Sequence, residues 1–166
     1  MVGAPRFEAL VSVHRRGRFD CGVPTLNRYL RELATQDVRR GVASCFVALD
    51  ADDAIIGFYT LAAAHIPLQD LLPEIARRLP RYPMVPAARV GRLAVDLSRQ
   101  RQSVGGFLLI DAIGRTIRSE VAASALLVDA KDDAAEAFYR RQGFEALASA
   151  PGSLFLMLDT ARRLKP

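Results

Sequence analysis

The segment from Arg92 to Ile110, RLAVDLSRQRQSVGGFLLI, constrains this chain more than any other stretch. It begins with a short apolar run typical of a strand, continues through a polar loop, and becomes apolar again at helical spacing from Val104. A helix that follows such a loop presents free backbone N–H groups and the positive end of its dipole, which together bind anions. Gly105 and Gly106 have no Cβ, so a ligand can approach the backbone closely. The segment therefore predicts a cradle for a phosphate or pyrophosphate.

The glycine pattern of this segment argues against two common nucleotide sites. The chain contains no GxxxxGK[ST] motif, which a P-loop nucleotidase needs, and no GxGxxG motif, which is typical of a Rossmann dinucleotide site. A strand, loop and helix with two glycines also occur together as ordinary architecture. A second motif is therefore needed before the segment indicates a function.

The loop resembles the acetyl-CoA loop of the GNAT family of N-acetyltransferases. Residues 95–105 read VDLSRQRQSVG, and the usual form in the family is V-D-x-x-x-Q-G-x-G-x-G/A. Gln100 and Gly105 stand in matching positions, whereas Arg101 and Ser103 stand where glycines are common. The resemblance implies that the amides of this loop hold the pyrophosphate of acetyl-CoA.

A second GNAT motif lies downstream of the loop. Residues 132–144, DDAAEAFYRRQGF, are similar to the family's N-x-x-A-x-x-F-Y-x-x-x-G-F, with Asp132 in the asparagine position. Two ordered motifs at about the usual separation are far more specific than either motif alone. On these residues the chain is identified as resembling a GNAT acetyltransferase.

The resemblance implies the GNAT fold, an α/β (α+β) architecture with a mixed central sheet flanked by helices. Its fourth and fifth strands splay apart to admit the acetyl-pantetheine arm, and in this chain they would be Arg92–Val95 and Ala125–Val128. The length of 166 residues suits one domain, and we expect it to cover residues 1–166. Apolar patterning predicts strands at 5–13, 44–49, 55–63, 92–95, 123–128, 144–148 and 153–158, and helices from residue 25, within 70–79, over 104–119 and through residue 139.

The resemblance also implies roles for individual residues. Tyr139 would be the general acid that protonates the CoA sulfur, and the backbone amides of Leu93–Val95 would hold the thioester carbonyl and pantetheine. Adjacent residues of a helix point about 100° apart, so Phe138 and Tyr139 cannot share one buried stripe. We expect the tyrosine to face the cleft, and the alternative is packing in the core. The predicted contacts with acetyl-CoA are Leu93, Ala94, Val95, Gln100, Arg101, Gln102, Ser103, Val104, Gly105, Gly106, Asp132 and Phe138.

No carboxylate stands out as a general base. Asp96 and Glu74 are possible, but Asp96 is better suited to orienting the loop. A lysine side chain, with a pKa of about 10.4, needs a base before it can attack, whereas an α-amino group, with a pKa of about 7.7–8.0, needs much less help. The missing base therefore favours an α-amine as acceptor.

A narrower resemblance, covering almost the whole chain, is to the GNAT toxins of type II toxin–antitoxin systems. It implies acetylation of the α-amino group of aminoacyl-tRNA, which blocks translation, and neutralisation by a ribbon-helix-helix antitoxin. Operator DNA would be bound only through the antitoxin complex, and a homodimer is common in this group. The similar segments are 19–22 (FDCG), 26–30 (LNRYL), 57–62 (GFYTLA), 79–83 (LPRYP) and 91–96 (GRLAVD).

The charge of the chain fits a nucleic-acid substrate. The formal net charge is +5 and the pI is about 9.8, and nearly all the basic residues are arginines. Arginine binds phosphate through its planar fork, although a genome rich in Arg, Ala and Gly codons would give the same composition. The predicted substrate contacts are Arg77, Arg78, Arg81, Arg89, Arg92 and His65.

Other features of the sequence limit the compartment and the cofactors. No apolar run approaches the length of a membrane span, and the N-terminus has no signal-peptide core, so we expect a cytoplasmic protein. Cys21 and Cys45 have no metal-site spacing, so we expect free thiols and no metal.

Two alternative functions stay open: a GNAT enzyme for a small amine or a protein N-terminus, and a non-catalytic acyl-CoA-binding module.

Overall fold

The computed structural model describes residues 3–163. Within that range seven strands form: β1 (Arg6–Ala9), β2 (Ser44–Leu49), β3 (Ile55–Pro67), β4 (Met84–Val95), β5 (Ala125–Asp129), β6 (Glu145–Ala146) and β7 (Ser153–Met157). The α-helices are α1 (Pro24–Arg28), α2 (Ala34–Arg39), α3 (Pro73–Ala76), α4 (Val104–Arg118), α5 (Asp133–Arg141) and α6 (Leu158–Arg163). A π-helical turn, Tyr29–Leu33, joins α1 to α2. None of the described helices is long and apolar enough to cross a membrane.

The strands form one mixed sheet in the order β1-β2-β3-β4-β5-β7-β6. The pairs β1–β2, β2–β3, β5–β7 and β6–β7 are antiparallel, whereas β4 and β5 are parallel. The parallel register runs from Ala87↔Ala125 to Val90↔Val128, and β4 continues beyond it to Val95. The predicted mixed α/β sheet with flanking helices is confirmed, and the splaying of β4 from β5 stays a prediction.

The chain forms two compact units, each with its own core. The first contains the residues up to Ala62 together with Gly91–Ala112, and the second contains Ala63–Val90 together with the residues from Ile113 onward. The core of the first unit includes Phe19, Tyr29, Leu30, Val47 and Phe58, and that of the second includes Ile66, Leu71, Val85, Leu127 and Phe155. A single domain over residues 1–166 stays a prediction.

Strand β4 begins earlier than the sequence predicts. The sequence predicts a strand only over 92–95, because prolines at 80, 83 and 86 interrupt the preceding segment, yet β4 starts at Met84. Pro86 is exposed and lacks an N–H, but its carbonyl accepts a hydrogen bond from the Ser124 N–H at 2.8 Å. Val85 and Ala87 are buried on either side of it, so the alternation of a strand is kept despite the proline.

Other element boundaries also differ from the sequence prediction, most of all those of β1 and β3. Strand β1 ends at Ala9 rather than Val13, because the chain turns at Val11, whose carbonyl accepts from the His14 N–H at 3.2 Å. Strand β3 extends beyond the predicted residue 63 as far as Pro67, with His65 exposed inside it. Helix α4 closely matches its predicted span.

Candidate active site

The first half of the cofactor-like loop is held in shape by its own side chains. The carboxylate of Asp96 accepts hydrogen bonds from the Ser98 N–H at 3.0 Å and the Ser98 hydroxyl at 2.7 Å. The Gln100 amide donates to the Val95 carbonyl at 3.0 Å and to the Cys21 carbonyl at 3.1 Å. Gln100, a predicted cofactor contact, therefore uses its N–H groups to fix the loop.

The same half of the loop is bound to the segment that precedes helix α1. The Asp20 N–H donates to the Asp96 carboxylate at 3.0 Å, and the Leu97 N–H donates to the Asp20 carbonyl at 2.8 Å. Asn27, which is buried, donates from its amide to the Asp20 carboxylate and accepts from the Cys21 N–H, both at 2.9 Å. The contacts of Asp20 with Asp96 and Leu97 join residues more than seventy positions apart, and the motifs FDCG and LNRYL were the sequence signals that could have located this segment.

The hydrogen bonds to these carboxylates also favour their charged forms. Burial opposes ionisation of Asp96, but the donors on Asp20 and Ser98 outweigh it and lower the pKa of Asp96 below its usual value. The Gly22 N–H and the Asn27 amide lower the pKa of Asp20. Both carboxylates are therefore anionic acceptors at neutral pH.

The second half of the loop has an unusual backbone. Arg101 has a φ of 63° and Ser103 a φ of 65°, and both side chains are exposed. These are the two positions where the GNAT motif commonly has glycine, the residue that adopts positive φ most readily. The loop therefore keeps the backbone shape that glycine would give it, although neither residue is glycine.

In the part of the chain that the structure describes, no side chain caps the start of helix α4. Its first intrahelical hydrogen bond runs from the Phe107 N–H to the Ser103 carbonyl at 3.1 Å, which leaves the N–H groups of Val104, Gly105 and Gly106 without partners in the helix. Within residues 3–163 no side chain accepts a hydrogen bond from these three groups. The helix start thus has the donors and the dipole of an anion site.

Helix α5 carries the predicted general acid. Tyr139 is 7% exposed, and its ring lies 5.2 Å from that of Phe138 and 5.6 Å from that of Phe144, measured between centroids. Burial, together with the negative charge of Asp129, raises the pKa of Tyr139 to about 12.

The hydroxyl of Tyr139 makes no hydrogen bond with any described residue. No fully buried side-chain nitrogen or oxygen in the described part of the chain lacks a partner, so this hydroxyl reaches solvent although its ring is packed. Tyr139 therefore combines the core packing and the accessible hydroxyl that the sequence treated as alternatives.

The predicted substrate residues have different surroundings. Arg77, Arg78 and Arg81 are exposed, and Arg78 lines a cavity of about 540 Å³ that Glu145 and Asp159 also line. Arg89 forms an ion pair with Asp129. His65 is exposed on β3, and Arg92 belongs to the first unit, where it lies over the ring of Tyr29.

The structure also places Asp132, a predicted cofactor contact, and the two cysteines. Asp132 accepts a hydrogen bond from the Ala135 N–H at 2.8 Å and so caps α5. Cys21 and Cys45 are buried free cysteines. Among the described residues, no group of three or more His, Cys, Asp or Glu side chains could hold a metal ion.

Known proteins are similar to this chain in sequence. Residues 42–146 match the family model for the GNAT acetyltransferase domain. The chain is 36% identical over 148 residues to a tRNA-acetylating toxin of Mycobacterium tuberculosis (strain ATCC 25618 / H37Rv), covering 88% of this chain and 87% of the relative. It is 27% identical over 161 residues to the probable toxin TacT of Sinorhizobium fredii (strain NBRC 101917 / NGR234), covering 91% and 89%.

Solved structures resemble the whole chain. A structure of AtaT complexed with acetyl-methionyl-tRNAfMet has a TM-score of 0.88 and 25% identity, and the match covers 96% of this chain and 98% of AtaT. A mutant AtaT bound to the C-terminus of the antitoxin AtaR and acetyl-CoA has a TM-score of 0.80 and 23% identity, covering 98% of both chains, which supports the fold alone. The matched family model and the 36% identity across most of the chain show that this protein belongs to the GNAT acetyltransferase family.

Proposed function

We propose that this protein is an acetyl-CoA-dependent N-acetyltransferase toxin that acetylates the α-amino group of aminoacyl-tRNA and so blocks translation. The observation that carries the proposal is the 36% identity, over 88% of the chain, to a relative named a tRNA-acetylating toxin. The open backbone N–H groups at the start of α4 support the proposal, because acetyl-CoA carries an anionic pyrophosphate.

The residues present fit the pyrophosphate of acetyl-CoA. The three N–H groups of residues 104–106 have no partner in the helix, Arg101 and Ser103 have positive φ, and the first turn of α4 contains no acidic residue. In the proposed complex the amides of 101–106 hold the pyrophosphate, and the amides of Leu93–Val95 hold pantetheine and the thioester carbonyl. Acetyl-CoA supplies the acetyl group as a thioester.

Tyr139 is suited to give a proton to the leaving thiolate. In the proposed reaction a C–N bond forms between the acceptor amine and the acetyl carbon, and the C–S bond breaks. The sulfur takes the hydroxyl proton of Tyr139, the acceptor amine loses a proton to water, and water returns a proton to the Tyr139 phenolate. A pKa of about 12 keeps the hydroxyl protonated throughout the neutral range, so the acid is in its competent form before each transfer.

The acceptor explains why a general base is not needed. The α-amino group of an aminoacyl ester is a weaker base than a lysine side chain, because its pKa starts near 8 and the ester withdraws electrons. A useful fraction is therefore unprotonated at neutral pH. Glu74 is exposed and Asp96 has its carboxylate committed to three N–H and O–H donors, so neither needs to serve as a base.

The proposed toxin acts in the cytoplasm, where its substrate is found. Its partners in this proposal are aminoacyl-tRNA, a ribbon-helix-helix antitoxin, and a second copy of the chain in a homodimer. Operator DNA is contacted through the toxin–antitoxin complex, and the membrane plays no part. Solved relatives in complex with an antitoxin, and with an antitoxin and DNA, share the fold at TM-scores of 0.80 and 0.76.

The decisive experiment incubates the purified protein with radiolabelled acetyl-CoA and bulk tRNA, charged in one tube and uncharged in the other. We expect label only with charged tRNA, released by mild base together with the amino acid. Tyr139→Phe, which keeps the packed ring and removes the proton donor, is expected to reduce labelling at least hundredfold.

Label in neither tube, despite measured binding of acetyl-CoA, would contradict the proposed acceptor and direct the search to small amines and protein N-termini. Failure of acetyl-CoA to bind at all would favour a non-catalytic protein. Binding is checked separately by the rise in melting temperature that a ligand specific for the folded state produces.

A further inference from the structure

One arginine beside the proposed thioester site is held in place by buried residues. The Cζ atom of Arg92 lies 3.7 Å from the centroid of the Tyr29 ring. Tyr29 is 2% exposed, stacks on Phe58 with 6.2 Å between centroids, and donates its hydroxyl proton to Asp37 at 2.8 Å. The Arg92 N–H donates to the hydroxyl of Thr60, which is also buried, at 3.0 Å. Both the backbone and the side chain of Arg92 are therefore fixed.

Among the described residues, the charge of Arg92 has no counter-ion. Within residues 3–163, no carboxylate lies within ion-pair distance of its guanidinium, and its side chain makes no hydrogen bond. Arg89 on the same strand is paired with Asp129, and Arg99 in the loop is paired with Asp50 at 3.0 Å. A guanidinium has five N–H donors in its plane, and contact with a ring face leaves them available. Arg92 is thus a positioned cation with unused donors.

The position of Arg92 in the chain limits which anion it serves. It directly precedes Leu93–Val95, the residues proposed to hold the thioester, and so it belongs to the part of the site where the acceptor amine attacks. In aminoacyl-tRNA the amine and the ester carry no negative charge, and the anionic group that every acceptor shares is the phosphodiester of the 3′ end. A planar guanidinium binds such a phosphate bidentately.

We propose that Arg92 binds a phosphodiester at the 3′ end of the tRNA acceptor, and that Tyr29 and Asp37 are positioning residues that hold its guanidinium. The inference rests on the proposed function and identifies the group of the substrate that this arginine recognises. It also explains two of the toxin-like segments, because Tyr29 lies in LNRYL and Arg92 in GRLAVD. A π-helical turn begins at Tyr29, and such turns are frequent at functional sites.

The test measures tRNA binding separately from catalysis. Binding of uncharged tRNA, which has the same phosphodiesters, is measured by fluorescence anisotropy over a series of salt concentrations for the wild type, Arg92→Gln, Arg92→Lys and Tyr29→Phe. Arg92→Gln is expected to weaken binding about tenfold and to reduce the slope of log K against log salt by about 0.7, the loss of one single-strand phosphate contact. Arg92→Lys is expected to keep the slope and to lower the affinity for tRNA about threefold, because an ammonium lacks the planar fork. Tyr29→Phe is expected to lower the affinity for tRNA about two- to threefold and to leave the slope unchanged.

The matched control is Arg6→Gln, which removes an exposed guanidinium that is ion-paired with Asp53. It is expected to leave both the affinity and the slope unchanged. The Michaelis constant for charged tRNA is expected to rise in Arg92→Gln by the same factor as the dissociation constant, while the affinity for acetyl-CoA stays within twofold.

Three results would overturn the inference. A loss of acetyl-CoA affinity in Arg92→Gln would assign the cation to a cofactor phosphate. A lower melting temperature with unchanged tRNA affinity and salt slope would make it a structural residue. If the wild-type protein does not bind tRNA, then Arg92 cannot bind a tRNA phosphodiester. If the wild type binds tRNA with the expected dependence on Arg92 but acetylates no charged tRNA, the inference holds and the proposed function fails.

Discussion

Helices α4 and α5 begin in opposite ways. The start of α5 is closed by its own chain: the Asp132 carboxylate accepts a hydrogen bond from the Ala135 N–H, and Asp133 and Glu136 add negative charge to the first turn. The first turn of α4 has no acidic residue, and within the described part of the chain no side chain accepts from its first N–H groups. Both helices have the same backbone dipole.

The difference indicates what each helix contributes. A helix start that is neutralised by its own carboxylates is complete without a ligand, whereas an open one with glycines in the first turn has unused capacity for an anion. In the proposed reaction α4 acts through its backbone and α5 acts through one side chain, Tyr139. Each half of this comparison can be tested by making one helix resemble the other.

The largest effect is expected when α4 is given the carboxylate that α5 has. Ser103 is the N-cap of α4, because its carbonyl accepts the first intrahelical hydrogen bond. Ser103→Asp places a negative charge there, and aspartate tolerates the positive φ of this position. Repulsion between like charges is expected to raise the Kd for acetyl-CoA about hundredfold, as measured by isothermal titration calorimetry.

Ser103→Asn is the matched control, since it has nearly the same shape without the charge. It is expected to change the Kd by less than threefold and the melting temperature by little. Equal affinities of the Asp and Asn variants for acetyl-CoA would show that the start of α4 does not bind the pyrophosphate.

The next effect concerns the side chain through which α5 is proposed to act. Burial and the charge of Asp129 raise the pKa of Tyr139 from about 10 in an unfolded chain to about 12 in the native state. Because the folded-state pKa is raised, the contribution of Tyr139 to the free energy of unfolding is complete below pH 10. It is lost progressively as the pH rises from 10 to 12. Two pKa units correspond to about 2 to 3 kcal/mol.

The measurement is denaturant unfolding of the wild type and Tyr139→Phe at several pH values between 9 and about 12. The phenylalanine variant cannot ionise at this position, so its stability is expected to fall less steeply. If the unfolding free energies of the two proteins fall in parallel with pH, then folding does not disfavour the ionised form of Tyr139. That result would count against Tyr139 as a protonated acid.

The sequence predicted the parts of this site that depend on neighbouring residues. The strand–loop–helix segment and the α5 motif are local patterns, so their elements and the open helix start follow from periodicity and glycine content. The positive φ of Arg101 and Ser103 was harder to predict from the sequence, because neither residue type indicates positive φ. The GNAT motif, which commonly has glycine there, was the available signal.

Contacts between distant segments could not be derived from local patterns. The hydrogen bonds between the loop and the residues Asp20 and Cys21, and the contact of Arg92 with Tyr29, join residues more than sixty positions apart. Packing decides such contacts, and a single sequence does not record them. The arginines that the sequence grouped by charge therefore differ in the structure: Arg89 is neutralised by a carboxylate, and Arg92 is held by an aromatic ring.

The smallest effect is expected when α5 loses its cap and comes to resemble α4. Asp132→Ala removes the acceptor for the Ala135 N–H, and loss of an N-cap costs about 1 kcal/mol of unfolding free energy. Asp132→Ser keeps a capping oxygen and is expected to recover most of that loss, as measured by urea unfolding.

Because Asp132 stands in the asparagine position of the GNAT motif, the sequence predicted a cofactor contact there, and the same two variants test that contact. If Asp132→Ala and Asp132→Ser both bind acetyl-CoA as the wild type does, the carboxylate serves only its helix. If both lose affinity tenfold, the contrast between a closed α5 and an open α4 fails, because each helix start would then serve the ligand.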